Sequence, residues 1–158
     1  MTKKTFFIGT VLLVLALFAS QAQSFRFNPW QSSPKLLTPV NGQLEIPLNE
    51  INDGKAHHFR VKADDGVMVT FFTLKSRDGI IRAAIDACDV CYKAGKGYAQ
   101  SGDFMVCLNC GQKFASNKIN VIKGGCNPAP LTRQVKDGAL VVSMKDITAN
   151  SWYCRYKS

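Results

Sequence analysis

The chain has 158 residues, of which 46% are hydrophobic and 20% charged, a balance typical of one globular domain. Neither low complexity nor a continuous heptad pattern dominates it, which excludes a wholly disordered chain and a fibrous coiled coil. The formal net charge is +9. A basic surface suits nucleic acid, a membrane surface or an acidic protein partner, and the location of the chain decides among them.

The first 22 residues have the three parts of a secretory signal peptide. Lys3-Lys4 precede the apolar run Phe6–Ala19, and Ser20-Gln21-Ala22 supplies the small residues that a signal peptidase accepts. The apolar run is shorter than the roughly 18 residues of a spanning helix. We therefore predict cleavage after Ala22, with an uncleaved membrane anchor at residues 1–22 as the alternative. Export places the protein in the periplasm or outside the cell and argues against nucleic acid as a partner.

The rest of the chain is predicted to form a short linker and one domain. Residues 23–43 hold few charges and two Pro-containing turns, and they are expected to be an extended linker. Residues 44–158 are expected to form a single β-rich domain. Asp-Gly pairs, which favour tight turns, recur at residues 53–54, 65–66 and 78–79.

Runs rich in Val, Ile, Phe and Thr lie between these turns and have the length of strands: 56–62, 67–74 and 80–87. A fourth pair, Asp137-Gly138, precedes the apolar run 139–144, which we expect to rejoin the same sheet. The predicted fold is mainly β, an antiparallel meander that forms a small sandwich or open barrel. An irregular cysteine-rich, metal-binding insertion is expected at residues 88–131.

Strand geometry places the two histidines on opposite faces of the sheet, because successive side chains of a strand point to opposite faces. His57 shares a face with Phe59 and Val61, and this pattern favours a partly buried histidine over a metal ligand. His58 shares the other face with charged residues and is expected to lie on the surface.

The cysteines carry the most specific signal of the sequence. Two C-x2-C pairs are separated by 15 residues, a fifth cysteine follows after 15 more, and the sixth comes late: Cys88, Cys91, Cys107, Cys110, Cys126 and Cys154. Each C-x2-C pair can curl into a knuckle that offers two thiolates, and two such knuckles make a tetrahedral sulfur site. In the second knuckle Gly111 allows a tight turn that aims backbone amides at sulfur.

Two other roles compete with metal binding. An even number of cysteines in an exported chain often forms a disulfide framework, for example with a Cys126–Cys154 bond. Thiol-disulfide exchange also uses C-x2-C, but no amphipathic helix follows Cys91 or Cys110 to lower a thiol pKa. Covalent c-type haem is excluded, because Tyr92 and Gly111 stand where that chemistry needs His.

Residues 84–131 resemble the FtrD-like family of membrane iron-sulfur-containing proteins. The resemblance rests on D-A-C-x-x-C at 86–91, K-G-Y at 96–98, C-x-N-C-G at 107–111 and G-G-C-N-P-x-P-L at 124–131. D-G-K-A-H at 53–57 and the Phe71-Phe72 pair extend it over roughly residues 44–145.

The resemblance implies an extracytoplasmic domain that carries iron-sulfur and belongs to a ferrous-iron uptake system. It implies Cys88, Cys91, Cys107 and Cys110 as metal ligands, Cys126 as a fifth and His57 as an auxiliary ligand. We expect an iron or iron-sulfur centre that transfers electrons to a redox partner protein or a membrane permease component. The alternative is a binding module without redox function, stapled by zinc or by disulfides. No hydrolytic motif is present, so a catalytic role is the weakest reading.

Overall fold

The computed structural model describes residues 33–156 and shows three small β-sheets. The predicted signal peptide and residues 23–32 of the predicted linker lie outside the described residues. The strands are β1 (Lys35–Leu36), β2 (Gln43–Pro47), β3 (His57–Lys62), β4 (Met68–Lys75), β5 (Ile81–Ile85), β6 (Tyr98–Ser101), β7 (Phe104–Cys107), β8 (Lys113–Ala115), β9 (Gln134–Lys136) and β10 (Ala139–Ser143). Two short helices, α1 (Leu48–Ile51) and α2 (Met144–Ala149), complete the regular structure, with 3-10 turns at Tyr92–Ala94, Ser116–Lys118 and Ser151–Cys154.

The central sheet has the strand order β1-β3-β4-β5 and contains the predicted meander. Strands β3, β4 and β5 pair antiparallel, with Phe59 opposite Phe71 and Phe72 opposite Ala84. The two connecting loops turn at Gly66 (φ +86°) and Gly79 (φ +81°), as the Asp-Gly pairs predict. Strand β1 pairs parallel with β3 and lies within the segment expected to be a linker.

The second sheet has the order β2-β10-β9, and it corrects the expectation that residues 139–144 rejoin the meander. Strand β10 pairs with β2 instead, with Leu140 opposite Ile46. Asp137 and Gly138 both have positive φ, so β9 and β10 form the two-residue hairpin that this dipeptide favours. The buried side chains of β2 and β10 face the central sheet and form the first core with it.

The third sheet, β6-β7-β8, lies within the cysteine-bearing segment and covers the other face of the central sheet. Its Tyr98 and Met105 pack with Phe72 and Leu74 of β4 in a second core. Strand β4 is therefore buried on both faces, because Phe71 belongs to the first core and Phe72 to the second. The mainly β, antiparallel sandwich is confirmed. The insertion was predicted to be irregular, but its strands β6, β7 and β8 form a third layer.

The second core also corrects the prediction for His58, which is 7% exposed. Alternation put His58 on a solvent-facing side of β3, but the third sheet covers that side. The His58 ring lies 5.7 Å from the Phe72 ring, and its Nε2 is 3.2 Å from the Tyr98 carbonyl oxygen. Arg60 and Lys62, farther along the same face, are exposed as expected.

Candidate metal centre

The first knuckle begins where β5 ends. The run 80–87 was predicted as strand, but pairing stops at Ile85 and the next residues carry Cys88 into the second core, where it is fully buried. The Cys91 amide donates a hydrogen bond to the Cys88 sulfur over 3.3 Å. A 3-10 turn follows, and Gly95 ends it in the left-handed conformation (φ +64°).

The second knuckle joins β7 to β8. Cys107 is buried at the end of β7, and Cys110 is exposed. The Gly111 amide donates to the Cys107 carbonyl oxygen over 2.8 Å, with Gly111 at φ +75°. Backbone amides of Asn109 and Cys110 donate to the Cys107 sulfur, and the Gln112 amide donates to the Cys110 sulfur. Such N–H to sulfur bonds are the feature expected of a metal-binding knuckle.

Cys126 is brought to the two knuckles by the chain that follows it. Residues 129–131 run antiparallel beside the free edge of β5, where Ala129 exchanges hydrogen bonds with Ile85 and Ala87 over 2.8 and 2.9 Å. The Asn127 side chain bonds back to the Gly124 carbonyl oxygen and closes the loop. The Cys126 carbonyl oxygen accepts a 2.5 Å hydrogen bond from the Tyr98 hydroxyl.

The five cysteines form two overlapping sulfur groups. Cys88, Cys91 and Cys126 make one group and Cys91, Cys107 and Cys110 the other, and within each group the sulfur atoms lie within 4.8 Å of one another. Sulfur atoms around one tetrahedral ion are about 3.8 Å apart, since metal–sulfur bonds are about 2.3 Å long. Soft thiolates of this number and spacing fit iron, an iron-sulfur cluster or zinc.

The thiols differ in how readily they ionise. Burial raises the pKa of Cys107 to about 11, and burial together with the neighbouring Cys110 raises the pKa of Cys126. The backbone amide of Gln112 lowers the pKa of Cys110. Cys110 is thus exposed and has a pKa below that of an ordinary thiol, which suits the thiol that meets an incoming metal ion first.

Two residues considered for the site lie apart from the sulfur groups. His57 Nε2 bonds to the Asp53 carboxylate over 2.7 Å, and His57 belongs to neither group within residues 33–156. Cys154 lies in the first core, 4.0 Å from the Thr70 carbonyl oxygen, whereas Cys126 packs against the second core. These two cysteines therefore belong to different cores, and no disulfide joins any of the six.

Several residues that support the sulfur groups were not predicted to have this role. Asn109 hydrogen-bonds to the Cys91 thiol through its side chain, and Tyr153 donates to the Asp89 carboxylate within the first knuckle. Tyr98 and Asp86 hold backbone groups beside the cysteines. The sequence did contain a signal for these roles. Asn109 lies between the two cysteines of the second knuckle, and Asp86 and Tyr98 belong to the D-A-C-x-x-C and K-G-Y motifs.

The sequence model of one family matches residues 51–153, and that family is described as membrane iron-sulfur containing protein, FtrD-like. The chain belongs to the FtrD-like family. The matched residues include all five cysteines of the two sulfur groups and end one residue before Cys154. FtrD-like membership and the sulfur groups together support a metal-binding protein of an iron-sulfur family.

Other comparisons add little to the FtrD-like assignment. No curated protein matches the chain in sequence. A solved structure of the quaternary ammonium Rieske monooxygenase CntA, in complex with the inhibitor MMV12, is 12% identical, with a TM-score of 0.42. The similarity covers 63% of this chain and 31% of that chain. Among residues 33–156 no helix is long and apolar enough to cross a bilayer.

Proposed function

We propose that this protein is an extracytoplasmic metal-thiolate protein that transfers electrons in an iron-uptake system, with iron or an iron-sulfur cluster held by Cys88, Cys91, Cys107, Cys110 and Cys126. The observation that carries the proposal is the pair of overlapping sulfur groups that share Cys91. A thiolate-bound iron centre supplies one-electron chemistry when it is present.

The surroundings of the cysteines suit electron transfer better than catalysis. The cavity beside Cys88, Cys91 and Cys107 has a volume of only about 10 Å³. That space holds about one water molecule, so no organic substrate fits in this cavity. Cys88 and Cys107 are almost fully buried, whereas Cys110 reaches the surface. Buried ligands keep the geometry fixed, and the exposed ligand gives a partner a short path to the centre.

Charge favours an acidic redox partner. Five exposed lysines lie in the cysteine-bearing segment: Lys93, Lys96, Lys113, Lys118 and Lys123. Within residues 33–156 none of them forms an ion pair. By contrast, Asp103 pairs with Arg77, and Asp89 accepts the Tyr153 hydroxyl. The uncompensated positive charge would steer an acidic redox protein or the acidic loop of a permease component to this side. The N-terminal segment would hold the protein near the membrane if it stayed uncleaved.

The test is metal analysis of protein purified without air, combined with visible absorption and a redox titration. We expect iron, with or without sulfide, an absorption band in the visible range and a reversible one-electron change. A stoichiometric zinc content without colour would instead establish the stapled binding module, because zinc has no redox chemistry.

A further inference from the structure

Three residues without sulfur connect the three chain segments that carry the site cysteines. These residues are Asp86, Gly97 and Tyr98, and we refer to them as the junction. Asp86 lies two residues before Cys88, so it belongs to the first cysteine segment. Tyr98 is the first residue of β6 and Gly97 directly precedes it, between the first and second knuckles in the sequence.

The contact between Asp86 and Gly97 leaves no room for a side chain at residue 97. Asp86 is 3% exposed, and its Oδ1 accepts the Tyr98 amide hydrogen over 2.7 Å. A Cβ atom on Gly97 would lie 2.3 Å from Oδ2 and 2.5 Å from Oδ1 of this carboxylate. Gly97 also has φ +70°, a conformation that favours glycine. The carboxylate cannot simply move away, because the move would leave the Tyr98 amide without its acceptor.

From this contact the junction reaches the other two cysteine segments. The Gly97 carbonyl oxygen accepts the Leu108 amide hydrogen over 2.9 Å, and Leu108 is inside the second knuckle. The Tyr98 hydroxyl donates to the Cys126 carbonyl oxygen over 2.5 Å. Tyr98 is 1% exposed, so its ring is fixed between the second core and the cysteines. One buried unit is thus hydrogen-bonded to all three segments through groups that a metal does not use.

We propose that Asp86, Gly97 and Tyr98 are positioning residues that hold the three cysteine segments in their binding arrangement before any metal is present. The inference rests on the proposed metal-thiolate site and says how that site is assembled. It predicts that the metal-free chain has a formed site, unlike small zinc modules that fold only on binding metal. Loss of the junction then weakens metal binding even where all five thiols remain.

The experiment measures Co²⁺ binding to the reduced, metal-free full chain, because thiolate-bound Co²⁺ has a strong optical signature. Gly97→Ala is compared with Gly138→Ala, whose φ is +76° and whose added Cβ would have no atom within 4 Å. Both variants place alanine at a similar positive φ, but only Gly97→Ala disturbs the junction. We expect Gly97→Ala to bind Co²⁺ at least about tenfold more weakly than Gly138→Ala, since residues that orient ligands change affinity by this amount.

A double variant tests the contact itself. When Gly97→Ala is combined with Asp86→Ala, the new Cβ meets no carboxylate, so we expect the double variant to bind Co²⁺ more tightly than Gly97→Ala alone. Simple addition of the two losses would contradict the proposed contact. If Gly97→Ala does not fold, Tyr98→Phe replaces it, because the ring stays and only the contacts of the hydroxyl, with the Cys126 carbonyl oxygen and the Cys88 thiol, are lost. Weaker Co²⁺ binding and an altered cobalt spectrum are expected there, with exposed Tyr156→Phe as the control.

The possible results distinguish failure of the junction proposal from failure of the metal-site proposal. Wild-type affinity and spectrum in both Gly97→Ala and Tyr98→Phe would overturn the junction and leave the metal site intact. A wild-type chain that shows no thiolate-bound Co²⁺ would overturn the proposed site itself. Circular dichroism of the metal-free chain completes the test, since an unfolded metal-free wild type would contradict a preformed site.

Discussion

The two faces of β4 allow the metal site to be weakened separately from the general stability of the fold. Phe71 and Phe72 are neighbours in the chain and both are fully buried. Phe71 packs against Phe59 in the first core, with ring centres 5.5 Å apart. Phe72 lies between His58 and Tyr98 in the second core, with ring centres 5.7 and 6.2 Å away. We therefore compare Phe72→Ala with Phe71→Ala.

The expected cost in stability is similar for both substitutions. Replacing a fully buried Phe by Ala costs about 3–5 kcal/mol through lost burial and the cavity that remains. For a domain of this size such a loss lowers the melting temperature by roughly 10–20 °C. The consequences for the site differ, because only Phe72 supports the Tyr98 ring beside the cysteines. We expect Phe72→Ala to lose bound metal or change its spectrum, and Phe71→Ala to keep both.

The assay combines thermal unfolding with metal content and visible absorption after gel filtration against a chelator. If either alanine variant fails to fold, the Phe→Leu variants at the same positions give a milder cavity and the same comparison. Equal metal loss in both variants at equal stability would refute the reasoning, because it would show that the site senses only the overall stability. Intact metal in Phe72→Ala would refute it as well.

Three further predictions follow from the site and the N-terminus. Cys107→Ser should remove most of the bound metal and Cys154→Ser should retain it; metal analysis of both decides, and full metal in Cys107→Ser would end the shared-site proposal. Because the pKa of Cys107 is raised to about 11, a metal ion must displace its proton at neutral pH, so affinity should rise with pH by about tenfold per unit for each proton released. Chelator competition at about pH 6 and about pH 8 measures this, and a flat profile would contradict the raised pKa. The exported form should begin at Gln23, and intact mass with Met1 retained would favour the anchor.

Local patterns predicted the strands well because they depend on neighbouring residues. Alternation and Asp-Gly turns predicted β3, β4, β5 and β10, and each predicted boundary lies within two residues of the observed one. The choice of pairing partner was wrong for β10, because Ile46 and Leu140 show the same alternation whichever sheet they join. Burial of His58 was missed for a related reason. The layer that covers it comes from residues about 40 positions later, and strand periodicity contains no information about that layer.

The cysteine spacing predicted that the knuckle thiols come together, but not which other residues hold them in place. Two C-x2-C pairs suggested one four-sulfur centre, and the structure gathers five sulfur atoms in groups that share Cys91. The inclusion of Cys126 depends on backbone pairing of residues 129–131 with β5, and the role of Gly97 depends on a carboxylate 11 residues earlier in the chain. Such contacts are set by tertiary packing, so residue types and spacing alone could not reveal them.

The division into two cores also controls which thiols can react with one another when the protein is oxidised. Disulfide exchange needs direct approach of a thiolate to a sulfur atom, and Cys154 is buried in the first core, whereas Cys88 and Cys107 belong to the second. An oxidant that enters at exposed Cys110 can therefore cross-link only thiols of the sulfur groups. Wrong pairings with Cys154 would require the first core to open around it. Mild reduction should accordingly restore the metal site of a folded, oxidised protein without passage through the unfolded state.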